Sequence, residues 1–213
     1  MLLAADIEVP VSVLEVHELE VSGPRADFDA AVAEAEAAVR AGRGADHGPA
    51  RALYRRFGVD PTRHRPSSEA LLRRVRRGEP LPRINSLVDV GNVVSLLLQV
   101  PVGLYDLAHV VGDLRVRLGR DGESYAGIRR DAVNIAGRIC VADDDGPCGG
   151  PSADSARTMI TTATERAAWV YFLPVPERDL SWTYELVARH GRGLVRLAES
   201  EMVLGSGWGE APR

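Results

Sequence analysis

Lysine is absent from this 213-residue chain, so all 26 Lys-plus-Arg positions are arginine. That bias inflates arginine everywhere and weakens any single arginine cluster as a sign of phosphate binding. Cysteine is nearly absent too. Cys140 and Cys148 could pair only across a short glycine-rich segment, and nothing in the sequence suggests secretion, so they read as free thiols. No run approaches the roughly 18 apolar residues of a membrane-spanning helix. The opening "MLLAADIEVPVSVLEV" has neither a basic start nor a continuous apolar stretch. The chain is therefore expected in the cytoplasm, away from membranes. His17, His47, His64, His109 and His190 are scattered, with no His-Glu-x-x-His and no Cys-x-x-Cys, so no metal is expected. The chain also lacks a Gly-x-Gly-x-x-Gly turn, a Walker-type loop and a Gly-x-Ser-x-Gly elbow, which argues against nucleotide cofactors and serine hydrolysis. No cofactor of any kind is expected.

With 45% hydrophobic residues, the chain can bury a sizeable core. Its net charge of −4 hides an asymmetry. Residues 1–50 carry three Arg against ten acidic residues, and residues 51–83 carry ten Arg against three. Such a basic block suits either a solvated helix face or contact with nucleic-acid phosphates.

Periodicity and turn signals predict mixed elements. A strand over 7–16 precedes an alanine-rich helix over 26–42, and a second helix follows over 48–60. A third covers 67–78, with Ser67 as its cap and Gly78 as its stop. Its Arg73, Arg74, Arg76 and Arg77 form one dense turn. Strands are expected near 113–119, 137–143 and 167–175, and a final helix over 179–200 with a weak point at Gly191 and Gly193. The expected architecture is α+β, a mixed sheet packed with helices, although the alternation also suits an open α/β sheet. One domain over 1–203 and a flexible tail over 204–213 are expected.

The segment "RINSLVDVGNVVSLLLQVP", residues 83–101, is the most unusual. Wound at roughly 100° per residue, it places Asn85, Asp89, Asn92 and Gln99 on one stripe with Ser95 at its edge, opposite Leu87, Val90, Val93, Val94, Leu97 and Leu98. A solvated helix face normally carries long charged side chains, and this stripe has none. Two further clusters share that poverty: "PVGLYD", which presents Tyr105 and Asp106, and "DGPCGGPSADSARTMITTATE". The latter combines Gly149 and Gly150 with Asp154, Ser155, Arg157, Thr158, Thr161, Thr162 and Thr164. A glycine-rich loop can hold a carboxylate, phosphate or developing oxyanion on its amides. Each cluster also has a structural explanation. Asn85 can cap its helix, Asp89 can pair with Arg83 or Arg157, Tyr105 can be core, and the 154–164 run can be turn chemistry leading into a strand.

Residues 51–173 resemble the tRNA-editing domain of the bacterial phenylalanyl-tRNA synthetase beta subunit, the B three/four domain, in free-standing form. The resemblance rests on Asn85, Val88-Asp89 and Asn92 on a helix, then Pro101, Gly103 and Tyr105-Asp106, then the Gly149-Gly150 segment. It implies hydrolysis of the ester of misacylated aminoacyl-tRNA released by another enzyme. Asp89, Asn92 and Asp106 are then catalytic candidates, with Asp89 or Asp106 orienting water directly or through Asn92. Asn85, Tyr105, Gly149, Gly150, Asp154, Ser155, Arg157, Thr158 and Thr161 would bind the substrate, with the amides of Gly149 and Gly150 or the hydroxyls of Ser155 and Thr158 polarising the carbonyl. Arg73, Arg74, Arg76, Arg77 and Arg83 would steer the tRNA backbone. The implied partner is tRNA carrying an amino acid on its 3′ end, with no DNA. Where the family has His in Pro-Leu-His-Ala-Phe-Asp, this chain has Gly103. The same residues suit an alternative, a non-catalytic module that holds aminoacyl-tRNA or an amino-acid-like ligand.

Overall fold

The computed structural model describes residues 3–5, 7–128 and 130–197. In order, the elements are β1 (Leu3–Ala5), β2 (Ser12–His17), α1 (Asp29–Arg40), α2 (Gly48–Arg56), α3 (Ser67–Arg76) and α4 (Ser86–Leu98). There follow β3 (Val102–Asp106), β4 (Leu114–Leu118), β5 (Ser124–Gly127), β6 (Arg130–Asn134), β7 (Ile139–Asp143), β8 (Gly146–Gly150) and β9 (Ala153–Asp154). Last come β10 (Ala167–Tyr171), α5 (Glu177–Leu186) and β11 (Leu194–Leu197). Three sheets result, ordered β1-β4-β7-β8-β9, β11-β2-β10-β3 and β5-β6, with the β1–β4 pair parallel and every other pair antiparallel. The architecture is α+β. No helix among the described residues is long and apolar enough to cross a membrane.

β10 shows why alternation is a poor guide here. All five of its residues, including Trp169 and Tyr171, are buried, because the strand lies between β2 and β3 with both faces covered. It stops at Tyr171, short of the expected 175, where Pro174 and Pro176 can donate nothing to a ladder. α4 has a fully sequestered apolar face in Leu87, Val90 and Val94, each contributing about 1.5–3 kcal/mol on burial. It packs against α1, α3 and β3, and Gly91 permits the close approach, since a Cβ there would lie 3.1 Å from Leu104 Cδ1.

Three expectations are corrected. The strand expected over 7–16 is β2 and begins only at Ser12, because Pro10 interrupts the segment before it. The last helix ends in a π-helical turn over Val187–Gly191. Arg192 then reverses the chain at φ 50°, and β11 pairs with β2 where a helix was expected. The glycine-rich segment is the hairpin β8–β9, with Gly149 and Gly150 as ladder residues. The expected tail over 204–213 lies outside the described residues.

Candidate active site

The polar stripe of α4 looks mostly inward. Asn85 caps the helix, its Oδ1 accepting from the Val88 amide at 2.9 Å while its Nδ2 donates to Ile160 O at 3.2 Å. Asp89, 2% exposed, accepts from Arg83 Nε and from the Ile84 amide, both at 2.7 Å. Its carboxylate thereby ties the 83–84 segment to the first turn of the helix, where the dipole favours an anion. The Arg83 guanidinium also binds Asp29 and donates to Arg25 O at 3.0 Å. One arginine therefore joins α1, the turn before it and α4.

One turn further on, the stripe opens onto a cleft of about 410 Å³. Asn92 and Ser95 contribute from α4, Ser67 and Leu71 from α3, Val102 and Leu104 from β3, and Gly127, Ile128 and Val133 from around the β5–β6 hairpin. Ser152, Ala153 and Asp154 close it from the β8–β9 turn and β9, and Met159 and Ile160 complete the wall. The lining is mainly apolar, and Asp154 is the one ionisable residue in it among the described residues.

Asp154 Oδ1 is buried without a partner at hydrogen-bond geometry, and so is the Tyr105 hydroxyl. Both atoms converge on Gly149, each lying 2.8 Å from where a Cβ on that glycine would be. Burial pushes the Asp154 carboxyl up to about 7, against a smaller downward pull from the Leu104 backbone and the Tyr105 hydroxyl. Tyr105 is itself raised well above its ordinary value by burial. A carboxyl that titrates near neutrality can exchange a proton with water at working pH.

Gly103 also acquires a reason. It sits two residues before Tyr105 on the same face of β3, and a Cβ on it would come within 2.8 Å of Tyr105 Cζ. The tyrosine ring with its hydroxyl fills the space that a larger residue at 103 would enter, so Gly103 and Tyr105 are a matched pair.

Of the expected site residues, Asn92 and Asp154 meet in the cleft, and the others are engaged elsewhere. Asp106, 1% exposed, accepts from Thr164 Oγ1 at 2.7 Å and from the Ala108 amide at 2.9 Å. Tyr105 is wholly buried. Ser155 Oγ accepts from the Arg157 amide at 3.1 Å, and Arg157 grips Asp143 with two bonds of 2.8 and 2.7 Å. Thr158 Oγ1 donates to Cys148 O at 3.2 Å, and Thr161 Oγ1 accepts from the Ala163 amide at 3.2 Å. Gly149 and Gly150 serve close packing: a Cβ on Gly150 would lie 2.8 Å from Ile139 O.

Ser67 and Ser152 join the cleft although no sequence motif marks either as a site residue. Pro66, not Ser67, holds the cap position of α3, and Ser67 is the first helical residue. Ser67 lines the cleft, and its hydroxyl is buried beside it without a partner. Ser152 Oγ lies 2.6 Å from Tyr54 Oη. Only the neighbouring Pro66, which suits a helix boundary, hints that Ser67 can be spared from capping. On α3, Arg74 and Arg77 share Glu79 at 3.1 and 2.9 Å, while Arg73 and Arg76 are exposed.

No group of three or more His, Cys, Asp or Glu among the described residues is arranged to hold a metal. Cys140 and Cys148 are free and buried, and burial pushes their thiols up to about 11 and about 12.

Fold and cleft together define an α+β domain with an apolar cleft whose one ionisable lining residue, among the described residues, is a carboxyl raised by burial. The B3/4 domain family model matches residues 49–193, and the chain belongs to that family. Among curated relatives, the phenylalanine–tRNA ligase beta subunit of Paramagnetospirillum magneticum is 40% identical over 65 residues, covering 30% of this chain and 8% of that protein. The beta subunit of Nitrobacter winogradskyi is 31% identical over 111 residues, covering 49% and 14%. A solved N-terminal fragment of the phenylalanyl-tRNA synthetase beta subunit from Pyrococcus horikoshii is similar over 92% of this chain and 50% of that one, with TM-score 0.48 and 12% identity. The matched regions are thus small parts of the curated relatives and half of the solved fragment.

Proposed function

We propose that this chain is a trans-acting editing factor that hydrolyses the ester bond of misacylated aminoacyl-tRNA in the cytoplasm, with the aminoacyl group in the α4–β3–β9 cleft. The observation that supports this most is Asp154, a carboxyl near neutrality at the edge of an apolar cleft on a domain related to tRNA synthetases. An aminoacyl ester is already activated, so positioning water and stabilising the oxyanion suffice without a nucleophilic side chain. Ionised Asp154 takes a proton from water as the water oxygen bonds to the ester carbon. The ester C–O bond then breaks, and the proton passes to the departing ribose oxygen, leaving free amino acid and tRNA. Ser67 Oγ, which has no partner, donates to the developing oxyanion, and Asn92 orients the acyl group. Asp89 and Asp106 act as positioning residues: the first fixes the segment before α4, the second the turn after β3. Arg73 and Arg76, exposed on the helix that forms one wall, steer the tRNA backbone.

The test is deacylation of a panel of correctly and incorrectly charged tRNAs by the purified chain, beside an Asp154→Asn variant and a protein-free control. Selective hydrolysis of a mispaired combination, slowed at least about tenfold in the variant, or about 1.4 kcal/mol in the barrier, is expected. Salt-dependent tRNA binding without acceleration on any substrate would refute catalysis and identify the non-catalytic module instead.

A further inference from the structure

A second cleft, of about 330 Å³, lies at the opposite end of α4. It shares no lining residue with the first. Its walls are apolar, formed by Leu98 at the end of the helix, Val100 after it, and Leu173, Pro174 and Val175 before α5. The charged residues that line it, among those described, are two carboxylates, Asp46 and Asp179. Gln99 lies at the junction. It is the C-cap of α4, is only 1% exposed and holds a left-handed φ of 52°. Its Nε2 donates to Leu96 O at 2.7 Å, which leaves Oε1 buried with no partner. A buried acceptor left unpaired is destabilising, and such a group asks for a donor.

The electrostatics say which donor. The C-terminal end of α4 carries the negative pole of the helix, and the Leu97 carbonyl there already accepts from the Ala45 amide at 3.2 Å. Asp46 Oδ1 accepts from the Gly48 amide at 3.0 Å, and its side chain is 79% exposed at the rim. Two basic side chains sit beside these carboxylates: His47 Nδ1 is 3.7 Å from Asp46, and Arg178, 85% exposed, is 3.6 Å from Asp179. Neither lines the cleft. An apolar chamber with an orphaned amide oxygen, a helix C-terminus and two carboxylates is complementary to an alkyl chain ending in an ammonium group.

We infer that this cleft is a binding site for an alkylammonium group, with the ammonium donating to Gln99 Oε1 and facing Asp46 and Asp179, and the alkyl chain against Leu98, Val100 and Leu173. The group is either a free amine or the side chain of a lysine on another protein. The inference is independent of the ester hydrolysis proposed for the first cleft.

The test is calorimetric titration of the full chain at fixed ionic strength with n-butylammonium chloride, n-butanol and N-acetyl-lysine amide. Saturable binding of the ammonium at least tenfold tighter than the alcohol is expected. It should weaken at least tenfold in Gln99→Met and at least threefold in Asp46→Asn, whose exposed side chain makes it the safer variant if Gln99→Met does not fold. Tighter binding of the lysine derivative than of butylammonium assigns the group to a protein partner, and the reverse order assigns it to a free amine. Equal affinity for ammonium and alcohol, no saturable binding, or an unchanged affinity in Asp46→Asn would overturn the site.

Discussion

Replacing Asp154 with asparagine separates the carboxyl's charge from its shape. Its carboxyl moves from an ordinary 3.8 to about 7 on folding because burial disfavours the anion. The folded protein therefore binds this proton more tightly than the unfolded chain does. The associated stability is fully present below about pH 4 and is lost as pH rises through 7. Every tenfold gain in proton affinity is worth about 1.4 kcal/mol, so the ceiling on the loss is about 4 kcal/mol, and partial access of water through the cleft halves this to about 2 kcal/mol. Asparagine keeps the shape and cannot ionise. The variant should match the parent near pH 4 and exceed it by about 2 kcal/mol at pH 8.5, which is about 4–8 °C in Tm for a chain of this size. Thermal melts of both proteins across that range, followed by circular dichroism, make the measurement. A stability difference that stays constant with pH would show that Asp154 titrates as an ordinary surface carboxyl, and the argument for it as a base near neutrality would fall. Deacylation by the parent should in turn rise with pH through about 7, since the base acts when ionised.

Asp89→Ala strips the half-buried Arg83 guanidinium and the Ile84 amide of their shared partner, and urea unfolding should show a loss of about 1–3 kcal/mol; a loss below about 0.5 kcal/mol would mean the carboxylate is not what holds the segment. Gly103→His drives a Cβ into the Tyr105 ring and should cost about 1–3 kcal/mol, while the double variant with Tyr105→Phe should regain part of that in the same assay. Simple additivity of the two changes would disprove the matched pair. Reversing charge at Arg73 and Arg76 together should weaken tRNA binding and lower the slope of log affinity against log salt by about 2, with the melting temperature unchanged. An unaltered slope would place the tRNA backbone elsewhere.

How much can be read without coordinates depends on the range of the interactions involved. α4 is legible from end to end because its signals are local: an amide cap three residues before its partner, an apolar stripe at helical spacing, and a proline soon after the stop. The family resemblance is legible for the same reason, in three short runs of residues. The strand β11 is not, because its pairing with β2 spans most of the chain and overrides the helical pattern of the residues before it. The hairpin β8–β9 reads as a loop in sequence, where glycine signals freedom, yet its glycines sit in a ladder where a Cβ would strike Tyr105 or Ile139.

The order of residues alone suffices to recognise a B3/4 domain with polar side chains clustered at three places and no metal motif. Which of those side chains are left for chemistry depends on how the chain packs. In the linear sequence Asp89 and Asp106 read as the catalytic acids and Asp154 as a substrate contact. Arg83 satisfies the first and Thr164 the second, while Asp154 lies beside a tyrosine hydroxyl in an apolar wall with no cation to hold it ionised. A carboxyl's protonation is set by the solvent it loses and the partners it meets, and both are fixed by residues distant in the chain.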